Sequence, residues 1–441
     1  MQLRGCEKFH LGATDFALYL RHPVVEAHPP HSNNHGVGAG LGFDRTADGA
    51  LGEPLRGSML HDRTELTVNR FKVAPTATKA VKVESVDAFP LRIKANESLR
   101  GGTFSYAYYQ TVLVRAVADG AEGWGEAMTR FDPEATALMV KYLGRQLVAK
   151  EFEDVHSAWR VGWNELRSRG HTRGVDVEAL SGIEIALQDC RGKLLKRPLN
   201  QLFSRSPDRE VPAFAGSLFA SRGSIEDQVA FAKERELIGA KVKIGFGVQE
   251  DKKTLAEVRR AWDDGMIVAD ANGAYDAVGA AKACSAFRGF DLAWFEEPVL
   301  SDDIEGYASL RGKQVKIGAG ETWFAGDFGR PIDEKLVDVL EPSVSRCGGF
   351  GVEMEVATGA RKRGIGFSPM TGMNSAVSLA ASIHAASVHP SVGVEYNPFV
   401  NPLQTDLASG IAEPRRGKLS VPLGSGLGIE IDMAFVKAHS G

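Results

Sequence analysis

Between residues 211 and 396 one unit recurs: a short apolar run that ends in a polar residue, followed by a helical segment of 10 to 15 residues. The runs end at Lys243 (AKVKIG), Asp270 (MIVAD), Glu296 (LAWFEEP), Glu321 (VKIGAGE), Ser343 (VDVLEPS), Met370 (GIGFSPM) and Glu395 (VGVE), with successive gaps of 27, 26, 25, 22, 27 and 25 residues. With an opening strand at VPAFAGS, residues 211–217, eight strands alternate with helices. That cadence predicts a (β/α)₈ barrel, whose chemistry sits at the C-terminal strand ends. A doubly wound sheet is the competing topology.

Composition narrows what such a chain does. Its 441 residues are 43% hydrophobic and 24% charged, ordinary for two or three globular domains. A formal charge of −4 leaves no basic excess for a phosphate backbone or an anionic membrane surface, so nucleic acid is not expected as a partner. No stretch approaches the roughly 18 apolar residues of a membrane span, and Arg4, Glu7, Lys8 and Asp15 interrupt the place of a secretory apolar core. Cys6, Cys190, Cys284 and Cys347 lie far apart without a Cys-x-x-Cys pair, which argues against disulfides or structural zinc. A cytoplasmic protein is expected.

The remaining chain divides by texture. Residues 1–80 hold six of the eleven histidines and, between Gly36 and Gly57, seven glycines without the spacing of a nucleotide loop, and read as a low-complexity extension. Residues 81–210 begin with strand-like segments (VKVESVDAFPLRI, YAYYQTVLVRAVA, GAEGWGEA) and continue with helical periods through 134–202, an α+β domain. The barrel follows over 211–415, and 416–441 forms a C-terminal segment.

Asp270, Glu296 and Glu321 end three consecutive barrel strands, so their carboxylates should converge at the mouth. They would repel one another unless a hard cation neutralised them, and three oxygen ligands suit Mg²⁺, with Mn²⁺ as the alternative ion. One strand earlier Lys241 and Lys243, at i and i+2, send both side chains to one face. Two ammonium groups beside a dication disfavour each other's charge, an arrangement expected to lower a lysine pKa and free an amine as base. Such a lysine could remove the proton α to a substrate carboxylate while the metal bears the charge of the enediolate.

KVKIG, Asp270-Ala-Asn272, Phe295-Glu296-Glu297-Pro298, Gly320-Glu321 and Arg346-Cys-Gly348-Gly349 together resemble the barrel motifs of the enolase superfamily, specifically its mandelate racemase and muconate lactonizing enzyme group. Pairing of a Lys or His base with Mg²⁺ is a known trait of that superfamily. Residues 180–203 are similar to the helix closing the family's capping domain, and VPLGSGLGIEID resembles its C-terminal ending, so the resemblance covers about residues 82–435. It implies an α/β fold: a TIM-like barrel with an N-terminal α+β capping domain completed by the C-terminal segment. It implies Asp270, Glu296 and Glu321 as metal ligands, Lys243 as base or acid and Lys241 on the substrate carboxylate. It further implies Asn272 and Glu395 as substrate-binding, the latter protonated or strongly hydrogen-bonded, and a homo-oligomer. Trp323, directly after a ligand, is a candidate wall of the substrate pocket, with packing as its equal alternative.

The pattern departs from the family at one place. Racemase-like members carry an Asp and a His at the ends of strands six and seven, and lactonizing members a strand-six lysine; here those positions read Ser343 and Met370, neither a base. A racemase needs catalysts on both faces, so reactions that one lysine serves are favoured. Dehydration of a sugar acid or related hydroxy acid is the leading expectation. Epimerisation or cycloisomerisation, or a retired enzyme that binds metal and acid without turnover, are the alternatives. Tyr106, Tyr108 and Tyr109 are candidates for a missing acid, though each reads first as a strand packing residue.

Overall fold

The structure, a computed structural model, describes residues 80–440. The histidine- and glycine-rich extension, up to residue 79, lies outside the described residues. Apolar, β-branched alternation drives the first element, a three-stranded antiparallel meander of β1 (Val81–Arg100), β2 (Ser105–Ala118) and β3 (Ala121–Met128). Short β4 (Glu151–Phe152) pairs with the start of β1. The β1–β2 register slips between Lys94 and Leu99, a bulge just before the hairpin tip at 101–104.

Helix α1 (Pro133–Leu147) starts where Asp132 caps the amides of Glu134 and Ala135 and Pro133 opens the first turn. Helix α2 (Val155–Arg167) starts at a similar Asp154 cap. Helix α3 (Val175–Leu194) is buried along nearly its whole length, pressed against β3. Glycines permit that contact: a Cβ on Gly125 would stand 2.0 Å from the carbonyl oxygen of Gly182 in α3.

The eight expected barrel strands are present: β5 (Glu210–Leu218), β6 (Gly239–Lys243), β7 (Met266–Asp270), β8 (Trp294–Glu296), β9 (Ile317–Ala319), β10 (Val339–Leu340), β11 (Gly366–Phe367) and β12 (Val394–Tyr396). They pair parallel in chain order, and β12 returns to pair with β5. The two ends of this order meet where Val392 N donates to Phe367 O at 2.8 Å and Ser368 Oγ to Gly393 O at 2.9 Å. Helices α4 (Ile225–Glu234), α5 (Val248–Ala261), α6 (Ala277–Phe287), α7 (Ile304–Leu310), α8 (Gly329–Glu334), α9 (Phe350–Arg363) and α10 (Ala376–Val388) connect successive strands. The sheet is thus a curled parallel one rather than doubly wound.

Lys243, Asp270 and Glu296 end their strands, but Glu321, Ser343 and Met370 lie two or three residues beyond theirs. Gly320, at φ 140°, ends β9 early, and Pro342 and Pro369, which lack an N–H for the ladder, follow β10 and β11.

The segment after the barrel returns to the cap. After α11 (Pro402–Thr405), β13 (Ala408–Ser409) pairs with β15 (Glu430–Ile431), and β14 (Lys418–Ser420) lies antiparallel on β5. Leu427 N donates to Asp189 of α3 at 2.7 Å, Gly426 O accepts from Leu199 N at 2.8 Å, and Ser440, just after α12 (Met433–His439), bridges to Leu91 of β1. No helix among the described residues is long and apolar enough to cross a membrane. Cys190, Cys284 and Cys347 are buried and free.

Candidate active site

Strand register carries the acids to one level. Lys243 pairs with Asp270 across β6–β7, and Asp270 with Glu296 across β7–β8. The left-handed turn at Gly320 then brings Glu321 in beside them. One carboxylate oxygen from each of Asp270, Glu296 and Glu321 lies within 4.8 Å of the other two, and all three residues are buried.

Each acid has its own cation. Lys243 Nζ is bonded to Asp270, Lys241 Nζ lies 3.1 Å from Glu296, and Arg130 Nη2 is bonded to Glu321. Lys241 also reaches Glu395 at 3.1 Å and Asp270 at 3.6 Å. Glu395 Oε2 accepts from Lys241 and from Gly372 N at 3.0 Å, while its Oε1 is buried without a partner.

Asn272 lies beside the cluster: its Oδ1 accepts from Lys243 Nζ at 2.9 Å, its N–H donates to Asp270 at 3.0 Å, and its own φ is 47°. One expectation needs correction. Trp323 is 1% exposed, its indole N–H donates to Ser301 O at 3.0 Å, and its ring packs edge-on against Tyr307 and Phe328. It fills the core and offers no surface to a pocket.

Burial is the largest influence on the Lys243 amine and would lower it, but Asp270, Glu321 and Glu296 together outweigh burial and the neighbouring Lys241, and the pKa moves up. Lys241 is carried well above its ordinary value in the same way, against burial, by Glu296 and Glu395. The lowering expected of these lysines was expected beside a dication, whose charge would oppose that of the same carboxylates. Burial pushes Glu296 well up, with Asp270 adding repulsion. Glu321 is buried too, yet Arg130, seconded by the two lysines, brings it down to about 2.

The donor set fits a hard dication. Three carboxylate oxygens converge, and Glu296 Oε2 is buried with no hydrogen-bond partner, an orphan that a cation would satisfy. Glu341, buried beside Glu296, likewise has Oε2 without a donor and is pushed well up by burial and then by Glu296.

Arg130 went unforeseen. It follows β3 in the cap, so no barrel periodicity points to it; only a lone cation after an apolar strand marks it. Its Nη1 donates to the Tyr106 hydroxyl at 2.6 Å and its guanidinium lies 5.4 Å from the centre of that ring. The hairpin tip covers the mouth: Thr103 Oγ1 donates to Asn272 O at 3.1 Å, and Phe104 lies 5.4 Å from Lys243 Nζ. Ser343 and Met370 are both buried; Asn374 Nδ2 reaches Ser343 Oγ at 3.5 Å.

A curled barrel, a cap and three acids at the mouth define the enolase-type architecture, and comparison with known proteins agrees. Residues 91–204 match the family described as mandelate racemase / muconate lactonizing enzyme, N-terminal domain, and residues 225–435 the enolase C-terminal domain-like family. D-galactarolactone cycloisomerase of Agrobacterium fabrum is 32% identical over 80% of this chain and 97% of its own length. Arabinonate dehydratase of Saccharolobus solfataricus is 26% identical over 71% of this chain and 86% of its own. Among solved structures, a racemase from Streptomyces coelicolor with bound magnesium superposes with a TM-score of 0.74 at 25% identity, over 81% of this chain and 100% of that one. The chain belongs to the enolase superfamily and, within it, to the mandelate racemase and muconate lactonizing enzyme family.

Proposed function

We propose that the protein removes the α-proton of a sugar-acid carboxylate with Lys243 and expels the β-hydroxyl as water, giving a 2-keto acid. The observation that carries this reading is asymmetry. Lys243 stands at the mouth, oriented by Asn272 at 2.9 Å, whereas the strand-six and strand-seven positions hold Ser343 and Met370, which cannot take a proton near neutral pH. A racemase would need a second base there.

Asp270, Glu296 and Glu321 would hold Mg²⁺ or Mn²⁺. The ion would take over the negative charge of these carboxylates, loosen the hold of Asp270 on the lysine, and stabilise charge developing on the substrate carboxylate. Lys241 keeps Glu296 and Glu395 in place, and Gly372 N fixes Glu395 further. Phe104 and the hairpin tip exclude water from the Lys243 amine. After taking the α-proton, the lysine is an acid that can deliver that proton to C3 when the enol ketonises.

Cycloisomerisation is the second reading, favoured by the 32% identity to a cycloisomerase. Both begin with the same proton removal. NMR of the Mg²⁺-loaded enzyme in D₂O with galactonate, arabinonate and galactarolactone separates them: loss of the α-proton with a new 2-keto acid supports dehydration, and a ring-opened or ring-closed isomer of unchanged mass supports cycloisomerisation. Exchange that yields the epimer sinks both. No exchange with any of the three counts against turnover altogether and favours a protein that only binds acid and metal.

A further inference from the structure

Expulsion of a hydroxyl needs a proton, and the barrel supplies none on the side of Ser343 and Met370. The cap does. Of its three clustered tyrosines, Tyr109 is buried with its hydroxyl donating to Val400 O at 2.6 Å, and Tyr108 is 45% exposed beneath Arg92. Tyr106 alone is tied to the metal-ligand cluster. Its hydroxyl accepts from Arg130 at 2.6 Å, and the same guanidinium binds Glu321.

A chain of contacts links the base to Tyr106. Phe104 lies 5.4 Å from Lys243 Nζ and its ring centre 4.5 Å from that of Tyr106; Arg130 joins Tyr106 to Glu321; and Lys243 is bonded to Asp270, which neighbours Glu321 in the acid cluster. All three tyrosines and Arg130 line a small cavity with Met373 and Asn374, on the strand-seven side, but of the three only Tyr106 is bonded to Arg130. The lysine and the phenol therefore approach the acid cluster from separate elements, a barrel strand and a cap strand.

We propose that Tyr106 is the general acid of the reaction, with Arg130 as its positioning residue; this rests on the reading of the site as an α-proton-abstracting lyase. Lys243 takes the proton from C2, so a C–H bond breaks and an N–H bond forms. The freed pair first delocalises into the carboxylate as an enediolate; in a second step it makes the C2=C3 bond as the C3–O bond breaks, and the Tyr106 proton goes to the departing oxygen, releasing water. The phenolate so formed faces the Arg130 guanidinium, which stabilises its charge. Ketonisation then moves the Lys243 proton to C3 and returns the C2 hydroxyl proton to Tyr106, so both groups are restored and the balance is loss of one water.

The test compares wild type with Tyr106→Phe, both Mg²⁺-loaded, in D₂O with galactonate and arabinonate. Exchange of the C2 proton should persist within about 3-fold while keto-acid formation falls by about 100-fold or more, the usual reach of general acid catalysis. Arg130→Gln should lower kcat with KM little changed, and Arg130→Lys should recover part of the loss. Keto acid at the wild-type rate in Tyr106→Phe overturns the proposal and leaves Lys243 to protonate its own leaving group. Loss of exchange and product together, at unchanged melting temperature, also overturns it. Absence of exchange in the wild type sinks the underlying lyase reading instead.

Discussion

Lys243 is bonded to Asp270 but is not itself an oxygen donor, so base and metal site can be separated by mutation. Lys243→Ala should abolish α-proton exchange, a loss of about 100-fold or more, while calorimetric Mg²⁺ affinity is retained or rises, since a competing cation leaves Asp270. Retained exchange would remove Lys243 from the chemistry. The convergence of Asp270, Glu296 and Glu321 was legible in the sequence because each follows a strongly apolar run. Arg130 was not: its position depends on how the cap lies over the barrel, which no local pattern encodes. Trp323 shows the complementary limit. Its place on the chain was readable, but which way its ring turns is a matter of tertiary packing. The carboxylates that raise both lysines were equally out of reach, because sequence gives neighbours along a strand and not distances across three others.

Whole elements were more legible than single side chains. Eight apolar runs became eight parallel strands because strands buried on both faces read as continuous apolar stretches. Their ends were less so: glycine and proline stop β9, β10 and β11 before Glu321, Ser343 and Met370. Cap packing gives a sharp test. Gly125→Ala would set a methyl 2.0 Å from Gly182 O and force α3 off the sheet, a loss of about 3 kcal/mol read by urea unfolding; an unchanged midpoint would refute that contact. Helix α10 carries another. His384 is fully buried, accepting from Asn200 N at 3.3 Å and donating to Leu427 O at 3.1 Å, and burial depresses it to about 4 despite the Leu427 hydrogen bond. The unfolded chain therefore binds a proton that the folded one refuses between pH 6.5 and about 4. Stability is complete above that window and falls as pH drops through it, by about 3 kcal/mol from this residue. His384→Gln should flatten the acid limb of melting temperature against pH; a curve superposing on wild type would show that His384 does not control it.

At the scale of the molecule, three buried acids gathered at one point would bind a dication in the folded chain and not in the unfolded one. Millimolar Mg²⁺ should raise the melting temperature, by an amount that grows with the logarithm of its concentration, and a chelator should reverse it. No shift with either Mg²⁺ or Mn²⁺ would argue against metal at Asp270, Glu296 and Glu321. The return of residues 426–440 to the cap couples distant parts of the molecule. Ser440 bridges to Leu91, Leu427 N donates to Asp189 of α3, and Gly426 bonds to Leu199 just beyond that helix, so the cap that holds Arg130 and Tyr106 is braced by residues from beyond the barrel. A substitution among those residues can therefore loosen the cap while every barrel strand keeps its place.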